Sequence, residues 1–268
     1  MERSVSTRLV FSTIADTKIA LAVAAARNAG YSSFSEELSI TADGKEVPFK
    51  ELPDAHGGRL HYMELAEPAE VTVEYSATIG GRASAPDVAP VDLIRYVRPS
   101  RYAESDRLLP TAYAEFGGLS GGDLVLAVRN WVSKELSYVS GSSRVTDGAA
   151  ETLMNRRGVC RDFAHLAIAL LRSKDVPARL SAVYAPGLKP MDFHAVAEAY
   201  LDGRWVVIDP TGLAPRSSMV RITAGRDAAD TAFLSTVGGR LTLRKMQVSA
   251  VVNGDLPAED PTLLEVLG

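Results

Sequence analysis

Cysteine is nearly missing from this chain: Cys160 is the single one in 268 residues. A lone cysteine cannot close an internal disulfide, which suits a reducing compartment, and it excludes zinc ribbons and other multi-cysteine metal sites. Histidine is scarce too, with His56, His61, His165 and His194 scattered along the sequence. Long apolar runs are lacking; the longest, residues 19–26, is eight residues, far short of the ~18 that a membrane-spanning helix needs. Positive charge is not in excess either. Lys and Arg number 29 against 33 Asp and Glu, a net charge of −4, so no nucleic-acid or membrane partner is expected. The opening MERSVSTRLV has an early Glu2 and no apolar segment, so no signal peptide is expected, and the expected location is cytoplasmic. Gly (21) and Pro (14) sit near ordinary abundance, which excludes collagen-like and linker-like chains.

What remains is an average globular composition, 46% hydrophobic and 23% charged, enough to build a large core. The length suits one large domain or two modest ones. Residues 4–14, 38–42, 60–65 and 71–78 carry β-branched or alternating patterns separated by Asp43-Gly44, His56-Gly57-Gly58 and Gly80-Gly81, which predicts strands joined by turns. Residues 19–27 fit helix or strand equally. Residues 83–90, with two prolines, read as a linker, and residues 95–118 as mostly irregular. Ser120 with Asp123 resembles a capping box. The apolar stripe Leu124, Ala127, Val128, Trp131, Val132 and Leu136 predicts a helix ending near Tyr138. A second helix, CRDFAHLAIALLR from Cys160 to Arg172, is apolar on nearly every face and should be central. From Ala178 onward the pattern turns to strands. Helices followed by strands predict an α+β fold, divided as a β-rich N-terminal domain (1–90), a core of helices and strands (91–252) and a C-terminal tail (253–268).

Two strand-like runs, HAVAEAYL and RWVVID, flank Asp202-Gly203. Asp-Gly between strands signals a two-residue type I′ hairpin, so Leu201 should oppose Arg204 and paired residue numbers should keep that sum. His194, Val196, Glu198 and Tyr200 then share a face with Trp205, Val207, Asp209 and Thr211. His194 should face Thr211, and Asp209 becomes its diagonal neighbour. A carboxylate beside an imidazole orients it and favours the imidazolium. Glu198 and Tyr200, further along that face, read as supports.

Cys160 opens the buried helix, where the positive end of the helix dipole favours thiolate and backbone N–H groups can stabilise an oxyanion. Alone, such a cysteine reads as a small buried apolar residue. With His194 and Asp209 assembled elsewhere, the nucleophile reading outweighs that one. Asp162 and His165 point about 200° and 140° around the helix from Cys160, so the three do not converge on a metal. Asp162 reads as a first-turn cap, His165 as a hydrogen-bonded core histidine, Trp131 as packing, and His56 and His61 as structural or solvated.

The stretches MNRRGVCRDFAHLAIALLRSKDVPARLSAVYAPG and DFHAVAEAYLDGRWVVIDPTG resemble the transglutaminase-like superfamily, and more narrowly its bacterial cysteine-protease-like group. YVRPSRYAESDRL before them and AGRDAADTAFLST after them resemble the same group. This resemblance implies a papain-like core, a nucleophile helix packed on an antiparallel sheet, with Cys160 as nucleophile, His194 as general base and acid, and Asp209 as orienting carboxylate. It implies no cofactor and no metal. The expected reaction is acyl transfer on a peptide or protein amide, with hydrolysis preferred over transfer to a primary amine. A non-catalytic binding or scaffold module on the same fold is the remaining alternative. Loops 140–149 and 185–192 are expected to wall the cleft. The sequence names neither an oxyanion side chain nor an oligomeric state.

Overall fold

A computed structural model describes residues 1–85 and 87–268; the expected linker 83–90 contains Pro86, which lies outside the described residues. The first third is β1 (Glu2–Thr13), β2 (Thr17–Leu21), β3 (Tyr31–Ala42), β4 (Lys45–Glu46), β5 (Lys50–Pro53), β6 (Arg59–Leu65) and β7 (Glu70–Gly81). There follow α1 (Pro90–Val97), α2 (Ser105–Phe116), α3 (Gly121–Glu135), β8 (Ser137–Tyr138), α4 (Ala149–Asn155), β9 (Arg157–Gly158) and α5 (Cys160–Arg172). The last third is β10 (Ala178–Tyr184), β11 (Phe193–Leu201), β12 (Arg204–Ile208), β13 (Val220–Gly225), α6 (Ala228–Thr231), β14 (Leu234–Thr236) and β15 (Leu241–Val252).

The class is α+β. One sheet runs β15-β1-β7-β3-β4 and a second β14-β2-β6-β5. Burial along β1 alternates strictly, with Val5, Leu9 and Phe11 inside, as a half-buried strand requires. Those side chains meet Val71, Val73 and Ile79 of β7, Ile19 and Leu21 of β2 and Met63 of β6 in one core. The third sheet, β12-β11-β10-β13, is antiparallel throughout. One of its faces, small and apolar at Ala178, Leu180, Ala197, Ala199, Val206 and Ile208, packs against α5 and the other helices.

Three expectations are corrected. The stretch read as irregular, 95–118, takes in the end of α1 and all of α2. Proline at the first turn is favourable to α1, while α2 tolerates Pro110 in its interior because Leu108, Ala112 and Phe116 are buried against the helical core. The helix bearing Trp131 ends at Glu135 rather than near Tyr138, and the Ser120 side chain makes no cap bond. Finally, β14 and β15 fall in sequence within 91–252 but pair with β2 and β1 of the N-terminal sheets. The two halves are further tied by Arg3, whose buried guanidinium donates to the carbonyls of Gly81, Met219 (3.3 Å) and Gly268 (2.9 Å). No helix among the described residues is long and apolar enough to cross a membrane.

Candidate active site

The hairpin forms in the expected register. Leu201 pairs with Arg204, Tyr200 with Trp205, and so on to Ala197 with Ile208. Asp202 and Gly203 both take positive φ, 49° and 82°, as a type I′ turn demands. Pairing stops at Ile208, before Asp209-Pro210, since Pro has no N–H to give. His194 therefore does not pair with Thr211 across a ladder. Asp209 connects them instead, accepting from Thr211 N (2.9 Å) and Thr211 Oγ1 (2.7 Å) through Oδ1 while Oδ2 lies 2.8 Å from His194 Nε2. Both side chains are 1% exposed. Burial works against the charge on His194, but Asp209 outweighs it, and with Cys160 contributing, the imidazole is pushed up to about 10. Burial likewise opposes the Asp209 charge, yet His194 and Thr211 hold its carboxyl below the ordinary range.

With Nε2 committed to Asp209, the other ring nitrogen, Nδ1, is buried without a hydrogen-bond partner of good geometry. Cys160, half-buried at the first residue of α5, is the neighbour that acts on this ring. Cys160 and His194 line the same cleft. The helix start is held by Asp162, which accepts the Val159 N–H at 2.8 Å, so its expected capping role is observed. Asp162 also accepts from Ser143 Oγ (2.9 Å), and Arg161 donates to Ser143 Oγ and to Arg144 O. These bonds pin loop 140–149 to the nucleophile end of α5. Val145 of that loop lines the cleft, whereas nothing from 185–192 does. There Ala185 and Leu188 are buried with Val196 and Val207 instead, because the loop folds under the sheet.

The other histidines are placed away from the pair. His165 is fully buried and stacks on Tyr102, 5.4 Å between ring centroids. Its Nε2 accepts the Ala228 N–H at 3.1 Å, and burial drives its pKa down to about 3. It is a neutral brace. His56 bonds Tyr96 Oη (2.9 Å) and His61 lies 3.5 Å from Glu51. Trp131 packs edge-on against Phe116 and donates to Glu115. Among the described residues no group of three His, Cys, Asp or Glu side chains is arranged to hold a metal.

Sequence reasoning missed Tyr138. Released from the helix, it enters β8, pairs with Gly158 just before Cys160, and lays its ring near Phe163, 5.9 Å between centroids. Burial first, then the Cys160 charge, push its phenol up to about 12, opposed by a hydrogen bond from the Cys160 backbone. In the sequence the apolar stripe continues to Leu136, so no local signal sets Tyr138 apart.

A buried helix bearing the thiol at its N-terminus, set against an antiparallel sheet, defines a thiol-enzyme fold. The comparisons agree. Residues 115–210 match the family model described as the transglutaminase-like superfamily. The crystal structure of a "Putative Cysteine Protease" from Cytophaga hutchinsonii superposes with a TM-score of 0.87 at 32% identity, covering 98% of this chain and 96% of that one. The chain belongs to the transglutaminase-like superfamily. It is also 30% identical over 122 residues to an uncharacterized protein of Mycobacterium leprae, covering 42% of this chain and 43% of that protein. One from Mycobacterium tuberculosis is 34% identical over 141 residues, again 43% of its length. The chain thus spans less than half the length of these curated relatives.

Proposed function

We propose that the protein hydrolyses peptide or amide bonds through a Cys160–His194–Asp209 triad. The observation that carries this reading is the division of the imidazole: Nε2 is tied to a buried carboxylate, and Nδ1 is left without a partner in the cleft that Cys160 lines. A raised imidazole pKa keeps the ring protonated at neutral pH, the state that supports an adjacent thiolate. The thiolate attacks the carbonyl carbon, Nδ1–H protonates the leaving amine, and a thioester forms. Nδ1 then takes a proton from water as its oxygen attacks the thioester; the acid departs and the Cys160 thiolate is restored beside the imidazolium. The Cys160 N–H at the helix start and the Tyr138 hydroxyl beside it are the donors for the oxyanion.

Alkylation by iodoacetamide tests the reading. Cys160 should label rapidly at about pH 6.5, and His194→Ala should slow labelling at least tenfold, because the thiolate is then unsupported. Equal rates in the two proteins would remove the triad and leave the binding-module reading. Cys160-dependent incorporation of a fluorescent primary amine into a glutamine-containing protein would replace hydrolysis by amine transfer.

A further inference from the structure

Resting on the acyl-transfer reading, the cleft beside Cys160 also carries information about what is cleaved. Its volume is about 680 Å³, and it is built where the two halves of the molecule meet. The floor is sheet: Ala182 of β10 and Ala195 of β11 are directly paired and, with Leu180, line the cleft. Small side chains there leave depth. The far wall comes from β13 and the segment after it, where Ile222, Phe233 and Leu234 contribute. Phe233 stacks on Phe193, the residue before His194, at 5.0 Å between centroids. An apolar surface thus begins beside the proposed base and runs away from it.

This wall is built rather than loose. The Ala22 N–H donates to Phe233 O (3.0 Å), and the Ala228 N–H donates to the buried His165. Asp227, itself 1% exposed, accepts from Tyr102 N (2.8 Å) and Ala229 N (2.9 Å). The charged lining is basic, although Arg161 is paired with Asp162 (3.3 Å) behind it. Arg101 and Arg161 reach the cleft, and no carboxylate lies among its described lining residues. A basic side chain would find no partner there and would meet like charge, whereas an apolar side chain would exchange water for Phe193, Phe233 and Ile222.

We propose that the acyl part of the substrate places a bulky apolar side chain, leucine- or phenylalanine-like, in the cleft floored by Ala182 and Ala195 and walled by Phe193, Phe233 and Ile222. A pre-formed apolar pocket of this kind discriminates by ten- to two-hundred-fold per substantial change of side chain. Exclusion of lysine and arginine at the same position follows from Arg101 and from the lack of a carboxylate among the described lining residues.

Two measurements separate this inference from the chemistry. The first is calorimetric binding to Cys160→Ala of short acetyl-peptide amides that vary only in the last two residues before the amide, with Leu, Phe, Gly, Asp or Lys. Leu and Phe peptides should bind at least tenfold tighter than Gly, Asp or Lys peptides. Equal affinities, a preference for a charged side chain, or no binding of any peptide would each overturn the proposal. The second repeats the titration in Cys160→Ala carrying Ala182→Leu, which fills the floor, or Ala229→Trp, an exposed position on the wall that a large ring can occupy without disturbing the core. Either should reduce the Leu and Phe preference to less than threefold; retention of the full preference in a folded Ala229→Trp protein would move the pocket elsewhere. The Leu and Phe preference in Cys160→Ala, lost in the two pocket variants, together with a wild-type enzyme that turns over none of these amides, would sustain the pocket and sink the hydrolase reading alone.

Discussion

His194 and Glu198 lie four residues apart on β11 and share one face of the sheet, and both are buried, 2% and 0% exposed. Their wiring is opposite. The Glu198 carboxylate accepts from Arg179 Nε (2.8 Å), Ser181 Oγ (2.5 Å) and both terminal nitrogens of Arg221 (2.6 and 2.8 Å). Burial opposes its charge, but the two arginines hold its pKa well below the ordinary range. Arg179 in turn lies over the Trp205 ring at 4.2 Å. Nothing on that carboxylate is left to offer. His194 has one nitrogen bonded to Asp209 and a second without a hydrogen bond of good geometry, on a ring that Cys160 also acts on. A buried carboxylate whose oxygens are all engaged fixes a scaffold, because removing it strands the charges of Arg179 and Arg221. An imidazole with one nitrogen unbonded at a cleft has capacity to move a proton. Burial and pairing therefore do not separate the two; what sets His194 apart is an unbonded ring nitrogen on a residue that lines a cleft.

Substitutions can break that contrast. The largest effect is expected from Cys160→Ala, which should lower kcat on a cleavable peptide amide by about 10⁶-fold, as loss of a triad nucleophile does; residual turnover near one per cent would point to a different nucleophile. Asp209→Asn should cost about 10⁴-fold and carry a second signature. With the anion gone, burial dominates the ring, so the alkaline limb of kcat/KM, expected near 10 in the wild type, should move down by at least two units. An unmoved limb would separate Asp209 from the His194 titration.

On the scaffold side, Glu198→Gln should destabilise by about 3–5 kcal/mol, since two buried guanidinium groups lose their counter-charge. Urea midpoints would show this, while Cys160 alkylation in the folded variant stays at the wild-type rate. Loss of alkylation without loss of stability would erase the distinction drawn here. Tyr138→Phe should lower kcat by about 10²-fold with little change in KM or in alkylation. The smallest effect belongs to the hairpin turn. Gly203→Ala meets no neighbouring atom, so only the positive φ opposes it, at about 1–2 kcal/mol, with kcat unchanged if the register survives.

The two buried sites also respond differently to pH. The folded pKa of His194 is raised, so its contribution to stability is complete below its unfolded value of 6.5 and is lost as pH rises through about 10. Asp209 and Glu198 are lowered, so theirs is complete above the unfolded carboxyl values of 3.8 and 4.5 and lost as pH falls through the folded ones.

How much of this was legible beforehand depended on the range of the forces involved. Asp202-Gly203 sets its own backbone, so the register of β11 against β12, and the approach of His194 to Asp209, could be worked out by counting residues. The buried character of α5 was equally local. Tyr138 was hidden because an apolar stripe runs past the true helix end and only the pairing with Gly158 draws the chain away. The helices α1 and α2 were masked by prolines whose cost is offset by packing that no short window displays. The pairing of β15 with β1 joins residues more than two hundred positions apart, and both strands carry the same alternation that any of several partners could satisfy. The fully buried arginines, Arg3, Arg179 and Arg221, were likewise invisible, since composition places such residues outside.

That long-range closure has a consequence for the life of the polypeptide. Strand β1 is flanked by β7 on one side and by β15 on the other, and the cleft takes Ala22 from the opening segment and Leu234 from the closing one. During synthesis β1 must wait with one edge unpaired until β15 emerges. The cleft is incomplete before β14 joins β2, so the helix bearing Cys160 has no finished pocket beside it until that much later stretch of the chain has been made.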